Sequence, residues 1–279
     1  MLACSFTLRP ASLAGLAFSL LATTQSWGVT VATSAGDHSS DPGTGAPWDN
    51  VLNVVGTQGS AVYLGGGWVL TANHVFDDNP SATSSSVSYS GDEYQADPSY
   101  IFELDNPFTI TSTGGTANPD LRLYRLEYDL GLPSIDIGNA TVGEDVTMIG
   151  FGGGKSWGNN EITATGINLA VNGRDTALFF TTYDSEIAGE AQGRIGDSGG
   201  ATYFEVTVGP NQGWYLGGIM VAVGNVGDIP GTFHADLSAY ESQISSIIAT
   251  NGNAPAIPEP SIAVLTGIFA LSAGSRRRR

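Results

Sequence analysis

Short runs of apolar and β-branched residues, separated by Gly, Asn, Asp, Pro and Ser, recur along most of the chain. The residues in the predicted strands are 51–55, 61–64, 68–71, 108–111, 121–126, 146–151, 177–182, 201–208 and 214–223. Strand-length segments that alternate with turn residues are typical of antiparallel barrels and sandwiches. The pattern therefore predicts an all-β fold.

Helical periodicity is confined to one stretch near the end of this region. The residues that repeat at the spacing of one helix face are Tyr240, Ile244, Ile247 and Ile248. Ser238 and Glu241 precede most of them at the spacing of a capping box. We therefore expect one terminal helix, with a flexible polar flank over residues 29–46 and a linker over residues 251–257.

The first 28 residues have the pattern of a secretory signal peptide. One cation, Arg9, precedes an apolar run over residues 11–22, and polar and small residues follow up to Gly28. A charged start, an apolar centre and a small-residue end are the parts of such a leader. The sequence predicts export, with signal peptidase cutting after Gly28.

Residues 258–279 combine a Pro-Glu-Pro motif, an apolar segment over residues 262–273 and four terminal arginines. The apolar segment is shorter than the roughly 17–25 residues of a membrane helix, but a basic cluster behind it stops translocation. The three parts resemble the PEP-CTERM sorting signal of Gram-negative bacteria. The resemblance implies transient membrane association through a temporary transmembrane helix and processing by an exosortase. The protein would end at the cell surface, in the extracellular matrix or in the medium.

Composition and charge narrow the classes of partner. The chain has 279 residues, a formal net charge of −17 and 38 glycines, and 13% of its residues are charged. Nucleic-acid phosphates need a footprint of Lys and Arg, so we expect no nucleic-acid partner. One cysteine, Cys4, and three histidines argue against a thiolate or zinc site, and we expect no metal and no cofactor.

Three short segments carry candidate catalytic chemistry. The turn 196–200 places Ser198 among glycines, where missing side chains expose its hydroxyl and nearby backbone N–H groups. His74 directly follows an apolar strand, and Asp120 directly precedes one. The serine turn also matches the elbow of α/β-hydrolases, but that fold needs an acid and then a histidine after the serine. The order here is His, Asp, Ser.

In this order, with separations of 46 and 78 residues, the segments resemble the signature motifs of trypsin-like (chymotrypsin-fold) serine proteases. Residues 148–152 and 230–233 are similar to two further segments of that family. The resemblance implies two packed six-stranded antiparallel β-barrels over residues 47–250, with a C-terminal α-helix and the site between the barrels. It also implies a serine endopeptidase that acts on protein or peptide substrates.

The resemblance assigns a role to each candidate residue. Ser198 would be the nucleophile, His74 the general base, and Asp120 the group that orients His74. The N–H groups of Gly196 and Ser198 would form the oxyanion hole.

The family's spacing also locates the primary specificity pocket. Its base falls at Gln192, and the predicted wall residues are Val221, Val223 and Gly231. A neutral amide forms no ion pair with a Lys or Arg side chain, so we expect no trypsin-like preference.

Asp197, which directly precedes Ser198, is the residue that would take part in activation of the enzyme. In family members made as zymogens, this aspartate pairs with an N-terminus that is released by a cut after a basic residue. The chain has no Lys or Arg between Arg9 and Arg122, so no such cut can occur ahead of the barrels. Three solutions stay open: the amine left by signal peptidase, hydrogen bonds alone, or an internal cation. The candidate cations are Lys155, Arg174 and Arg194.

Two other functions also stay open. One is a surface binding protein that keeps the barrels but has little turnover, and the other is an esterase that uses the same three residues. Asp105 is the second choice for the acid. His38 and His234 are predicted to be non-catalytic.

Overall fold

The computed structural model describes residues 28–32, 38–77, 86–107 and 118–258. The strands are β1 Thr30–Val31, β2 Val51–Val54, β3 Ser60–Gly65, β4 Trp68–Thr71, β5 Ser86–Tyr89, β6 Asp92–Glu103, β7 Arg122–Leu126, β8 Asp136–Ile137, β9 Asp145–Gly150, β10 Ser156–Val171, β11 Arg174–Thr182, β12 Ala191–Gln192, β13 Ala201–Val206, β14 Gly213–Val226 and β15 Ile229–Asp236. The helices are α1 Asn73–Asp77 and α2 Glu241–Asn251, with 3-10 turns at Trp48–Asn50 and Leu237–Ala239. The strand predicted at 108–111 lies outside the described residues, as do most of the predicted leader and tail.

Six strands form a first closed barrel in the order β2-β3-β4-β7-β6-β5. Apolar positions face each other across its strands, since Leu70 of β4 is paired with Val62 of β3 and with Leu123 of β7, and all three are buried. Because β4 and β7 are antiparallel neighbours, the end of one meets the start of the other. That meeting point brings His74 next to Asp120.

The second group of strands also closes into a ring. Strand β13 pairs with both β9 and β14, which completes the cycle β9-β10-β11-β15-β14-β13, and β8 is added to β14 in parallel. Phe179, Leu216 and Ile219 are fully buried in this half of the chain. The predicted all-β fold with two six-stranded barrels is therefore confirmed.

Residues 29–32 pack against the second barrel, although they were expected to begin the flexible flank over residues 29–46. β1 pairs with β12, and Val29 is buried. Gly158 of β10 makes room for this segment, because a Cβ at that position would crowd Val31 and Ala191. The apolar residues of the segment thus cover part of the barrel.

The terminal helix α2 is present, but its start differs from the predicted capping box. Asp236 Oδ1 accepts the Ser238 N–H at 3.1 Å and so caps the 3-10 turn that precedes the helix. α2 itself begins after Tyr240 with no capping side chain. Ile244 is its buried residue.

After α2 the chain returns to the first barrel. Trp68 Nε1 donates to the Gly252 carbonyl at 3.0 Å, and Arg125 donates to the Asn251 carbonyl at 2.8 Å. The segment expected to be a linker is therefore held against the barrel over its first residues. Among the described residues, no helix has the length and apolar composition needed to cross a membrane.

Candidate active site

His74 and Asp120 form a hydrogen-bonded pair. His74 lies in α1, directly after β4, and its backbone N–H donates to Asp120 Oδ1 at 2.9 Å. Its Nδ1 lies 2.7 Å from Asp120 Oδ2. The Asp120 side chain is fully buried, whereas that of His74 is 25% exposed. The two contacts fix the ring and leave Nε2 as the nitrogen available to another group.

The neighbours of the pair hold its backbone. The Asp120 N–H donates to Thr176 Oγ1 of β11 at 3.0 Å. Asn73 is fully buried, and its side-chain oxygen accepts a hydrogen bond from Arg122 Nε at 2.7 Å. Arg122 also pairs with Glu103 at 2.7 Å. The start of α1 is thereby attached to β7, which keeps His74 against Asp120.

Ser198 lies on the glycine turn between β12 and β13, in contact with the first barrel. The Ser60 N–H donates to the Ser198 carbonyl, and the Gly199 N–H donates to the Met220 carbonyl at 2.9 Å. Gly199 has a φ of +84°, and a Cβ there would overlap the Ser60 carbonyl oxygen. Only glycine allows the turn to approach the first barrel this closely.

Two amides of this turn have no acceptor among the described residues. Among the residues that the structure describes, neither the Gly196 N–H nor the Ser198 N–H donates a hydrogen bond, and both residues line one cavity. The hydrogen bonds of the described residues also do not include one between Ser198 Oγ and the His74 ring. Such contacts are often long without substrate and shorten when it binds.

The cavity lies between the two barrels and has a volume of about 550 Å³. Its lining includes His74, Asn172, Arg194, Gly196, Ser198 and Val223. His74, the serine turn and the two amides therefore face one space. A histidine held by a buried carboxylate can take a proton from a hydroxyl there, and the amides can stabilise a developing oxyanion.

The predicted specificity residues are only partly at this cavity. Val221 and Val223 line it. Gln192 and Gly231 are not among its lining residues, because Gln192 belongs to β12, which pairs with β1, and its Nε2 donates to the Gly231 carbonyl at 3.0 Å. Thr232, the next residue of β15, lines the cavity instead.

The Asp197 carboxylate is held by two backbone N–H groups. Its Oδ1 accepts the Gly152 N–H and its Oδ2 the Arg194 N–H, both at 2.8 Å. Burial raises the pKa of Asp197 to about 6, although these two N–H groups and the Arg194 charge act in the opposite direction. Of the other candidate cations, Lys155 donates to the Trp48 carbonyl and Arg174 pairs with Glu103. Arg194 is thus the candidate that acts on Asp197.

Gly28 lies beside Asp197. A Cβ on Gly28 would be 3.2 Å from Asp197 Oδ1 and would overlap Ser156 Oγ and the Gly154 carbonyl oxygen. Ser156 Oγ is buried and has no hydrogen-bond partner among the described residues. Three oxygens therefore surround the position at which the sequence predicts the leader to end.

The remaining candidates lie elsewhere. His234 is fully buried between two threonine hydroxyls at 3.1 and 2.7 Å, and burial lowers its pKa to about 3. His38 bonds the Trp157 carbonyl, and the Asp105 N–H donates to a side chain of α2. In the described part of the chain, no group of three or more His, Cys, Asp or Glu residues could hold a metal ion.

Asn172 contacts the pair and was not singled out from the sequence. Its Nδ2 donates to Asp120 Oδ2 at 2.8 Å. The Asn172–Gly173 dipeptide is a hairpin-turn signal that could have located the turn. Nothing in the sequence shows that this turn reaches Asp120.

One family model and several solved structures are similar to this chain. A family model described as a trypsin-like peptidase domain matches residues 59–205. The chain is similar to the inactive form of a serine-to-alanine mutant of Rv3671c from M. tuberculosis H37Rv, with 16% identity, a TM-score of 0.50, and coverage of 80% of this chain and 99% of that one. It is also similar to the MamO protease domain of Magnetospirillum magneticum, with 20% identity, a TM-score of 0.47, and coverage of 72% and 97%. No curated protein matches the chain.

Proposed function

The chain belongs to the family of trypsin-like peptidase domains, and from that premise we propose that it is an exported serine endopeptidase. One observation carries the proposal. The buried Asp120 holds His74 at 2.7 Å at the edge of the cavity that Ser198 also lines. A nucleophile, a base and a group that orients the base are the three parts that acyl transfer needs.

In the proposed reaction, Ser198 Oγ attacks the carbonyl carbon of the scissile peptide bond while His74 Nε2 takes the hydroxyl proton. Asp120 accepts the hydrogen bond from Nδ1–H and stabilises the imidazolium. The imidazolium then gives its proton to the leaving nitrogen, the C–N bond breaks, and the acyl group stays on Ser198. Water attacks this ester by the same steps and releases the acid product.

The free amides of the serine turn support an oxyanion hole. A tetrahedral intermediate carries negative charge on the former carbonyl oxygen. The N–H groups of Gly196 and Ser198, which have no acceptor among the described residues, would donate to it. Each such donor contributes roughly 3 kcal/mol to transition-state stabilisation in comparable enzymes.

Active-site labelling tests the proposal. The protein should react with a fluorophosphonate, and mass spectrometry of the digest should place the label on Ser198, because only an activated serine attacks phosphorus at neutral pH. Cleavage of peptides as well as esters would distinguish an endopeptidase from an esterase. A folded protein that takes no label would contradict the proposal and favour a binding function.

We expect a preference for neutral residues on the acyl side of the scissile bond. Arg194 lines the cavity, and Asp197, the acid among its lining residues, has both oxygens occupied by backbone N–H groups. A substrate cation would therefore meet a like charge and no free carboxylate. Matched peptides should show kcat/KM about tenfold or more higher for an apolar residue than for Lys or Arg.

The outcome that would contradict this preference is faster cleavage after Lys or Arg. Arg194→Gln is the matched variant, because it removes the side-chain charge and keeps the backbone N–H that donates to Asp197 Oδ2. This variant should narrow the difference in kcat/KM between the apolar peptide and the Lys or Arg peptide. Cleavage of the apolar peptide should change little.

The proposal includes processing at both ends. Signal peptidase would cut after Gly28, and an exosortase would remove the tail over residues 258–279 in a Gram-negative host. The support is the order of charged, apolar and motif segments in the sequence. The exported protein would then carry five cations, namely Arg122, Arg125, Lys155, Arg174 and Arg194.

A further inference from the structure

Asn172 lies at the tip of the hairpin formed by β10 and β11. Asn172 and Gly173 connect the two strands, with φ values of +49° and +77°. Positive φ at both central residues is typical of a type I′ turn, for which Asn-Gly is a preferred pair. The hairpin therefore sets the backbone of Asn172 without help from its side chain.

The amide of Asn172 contacts both barrels. Its Nδ2 lies 2.8 Å from Asp120 Oδ2, 3.3 Å from the Val221 carbonyl oxygen and 3.0 Å from His74 Nδ1. A carboxylate and a carbonyl only accept hydrogen bonds, so the nitrogen end of the amide must face them. Both hydrogens of Nδ2 are then used by these two oxygens.

This assignment fixes the proton on the histidine. With the Nδ2 hydrogens directed to the two oxygens, the 2.7 Å contact of Asp120 Oδ2 with His74 Nδ1 requires the proton on Nδ1. Asp120 Oδ2 thus accepts from both the imidazole and the amide, while Oδ1 accepts from the His74 backbone. The carboxylate is held from two sides and keeps one orientation.

The contact also connects the two halves of the site. His74 and Asp120 belong to the first barrel, whereas Ser198 and Asn172 belong to the second. The position of the His74 ring relative to Ser198 therefore depends on how the barrels are held together at Asp120. A misplacement of about 1 Å can lower a rate by about 100-fold.

We propose that Asn172 is a positioning residue, whose side-chain amide holds Asp120 against His74 and sets this pair relative to Ser198. The inference rests on the proposed function. Asn172 takes no part in bond making. Its effect acts through Asp120 and should fall on kcat more than on KM.

Asn172→Gly removes the amide without strain, because glycine adopts a φ of +49° readily. We expect kcat to fall by between about 10- and 100-fold. KM should stay within about twofold. A KM effect with unchanged kcat would overturn the inference, since it would indicate substrate binding by Asn172.

Asn172→Asp is the near-isosteric variant and also tolerates the turn conformation. Its carboxylate cannot donate at neutral pH, so kcat should be at least as low as in Asn172→Gly. As the pH falls and the new carboxyl is protonated, the activity relative to the unchanged protein should rise. A ratio that does not change with pH would contradict a role for the donated hydrogen bond.

Ser90→Gly is the matched control, because Ser90 is an exposed residue with a φ of +52° next to β5 in the first barrel. Its kcat and KM should not change. The low-field proton signal of His74 Nδ1–H adds a readout that does not need turnover. It should shift in Asn172→Gly, because Asp120 Oδ2 then accepts one hydrogen bond fewer.

These measurements separate the two proposals. If the unchanged protein hydrolyses peptides and Asn172→Gly keeps its full kcat, the positioning role is wrong and the protease stands. If the unchanged protein neither labels nor hydrolyses, the proposed function fails. The Nδ1–H signal then still decides whether Asn172 acts on the pair, and an unmoved signal would overturn that role.

Discussion

Replacing Ser198 with alanine is expected to lower kcat for peptide hydrolysis by at least about 10⁴-fold and to abolish fluorophosphonate labelling. The substitution removes both the attacking oxygen and the proton that His74 would take. The turn should survive, because its contacts with Ser60 and Met220 use backbone atoms only. Steady-state kinetics and a thermal melt of the purified protein measure the two effects separately.

Two further variants show whether the loss of activity is specific to the Ser198 hydroxyl. Ser246→Ala, on the exposed side of α2, should keep full activity. His74→Ala added to Ser198→Ala should cost almost nothing more, because residues that act as one unit have non-additive effects. A Ser198→Ala protein that retains the activity of the unchanged chain would show that another group is the nucleophile.

The sequence predicts the strands whose buried positions are apolar and misses long strands whose buried positions are polar. Strand β10 alternates between buried and exposed positions over its first half, but one of its buried residues is Asn160. The Asn160 amide donates to the carbonyls of Thr182 and Ala191 at 2.7 and 2.6 Å. A hydrophobicity pattern cannot identify such a strand, because tertiary hydrogen bonds make the polar residue stable inside.

The residues of the site also differ in how far the sequence predicts their positions. His74 and Asp120 stand beside apolar strands, so their local frames predict where they lie. The contact of Asn172 with Asp120 joins residues 52 positions apart on different barrels, and only the packing of the barrels creates it. Gln192 was misplaced because counting back from Ser198 assumes a loop geometry that the pairing of β12 with β1 changes.

In a chain that extends beyond Val29 at its N-terminus, the free energy of unfolding is expected to fall as the pH rises from about 4 to about 6. The pKa of Asp197 is about 6 in the folded chain and 3.8 in its ordinary state, because burial disfavours the carboxylate. The folded state therefore binds the proton more tightly than the unfolded state. Its stabilisation is complete below about pH 3.8, and a total on the order of 3 kcal/mol is lost as the pH rises through about 6.

An N-terminus at Val29 should remove this decline. Its ammonium would belong to the residue that follows Gly28, whose Cβ position lies 3.2 Å from Asp197 Oδ1, and a nearby positive charge favours the carboxylate. Two proteins test this, one beginning at Val29 and one with a Gly-Ser extension before it. Urea unfolding between pH 4 and 8 should give the Val29 form the higher stability at pH 7, and this form should also react faster with a fluorophosphonate. N-terminal sequencing of the exported protein shows which start the cell makes.

Asp197→Asn is the control in both forms. In the extended protein it leaves no carboxyl to titrate at position 197, so the decline in the free energy of unfolding between pH 4 and 6 should disappear. The loss of one acceptor oxygen lowers this free energy by the same amount at every pH. In the Val29 form it should remove the advantage of the free N-terminus, because no carboxylate faces the ammonium. If both starts give equal stability at pH 7 and the same decline, the N-terminus does not pair with Asp197. If the extended protein shows no decline, Asp197 is ionised in the folded state by another cation, and Arg194 is the first residue to replace.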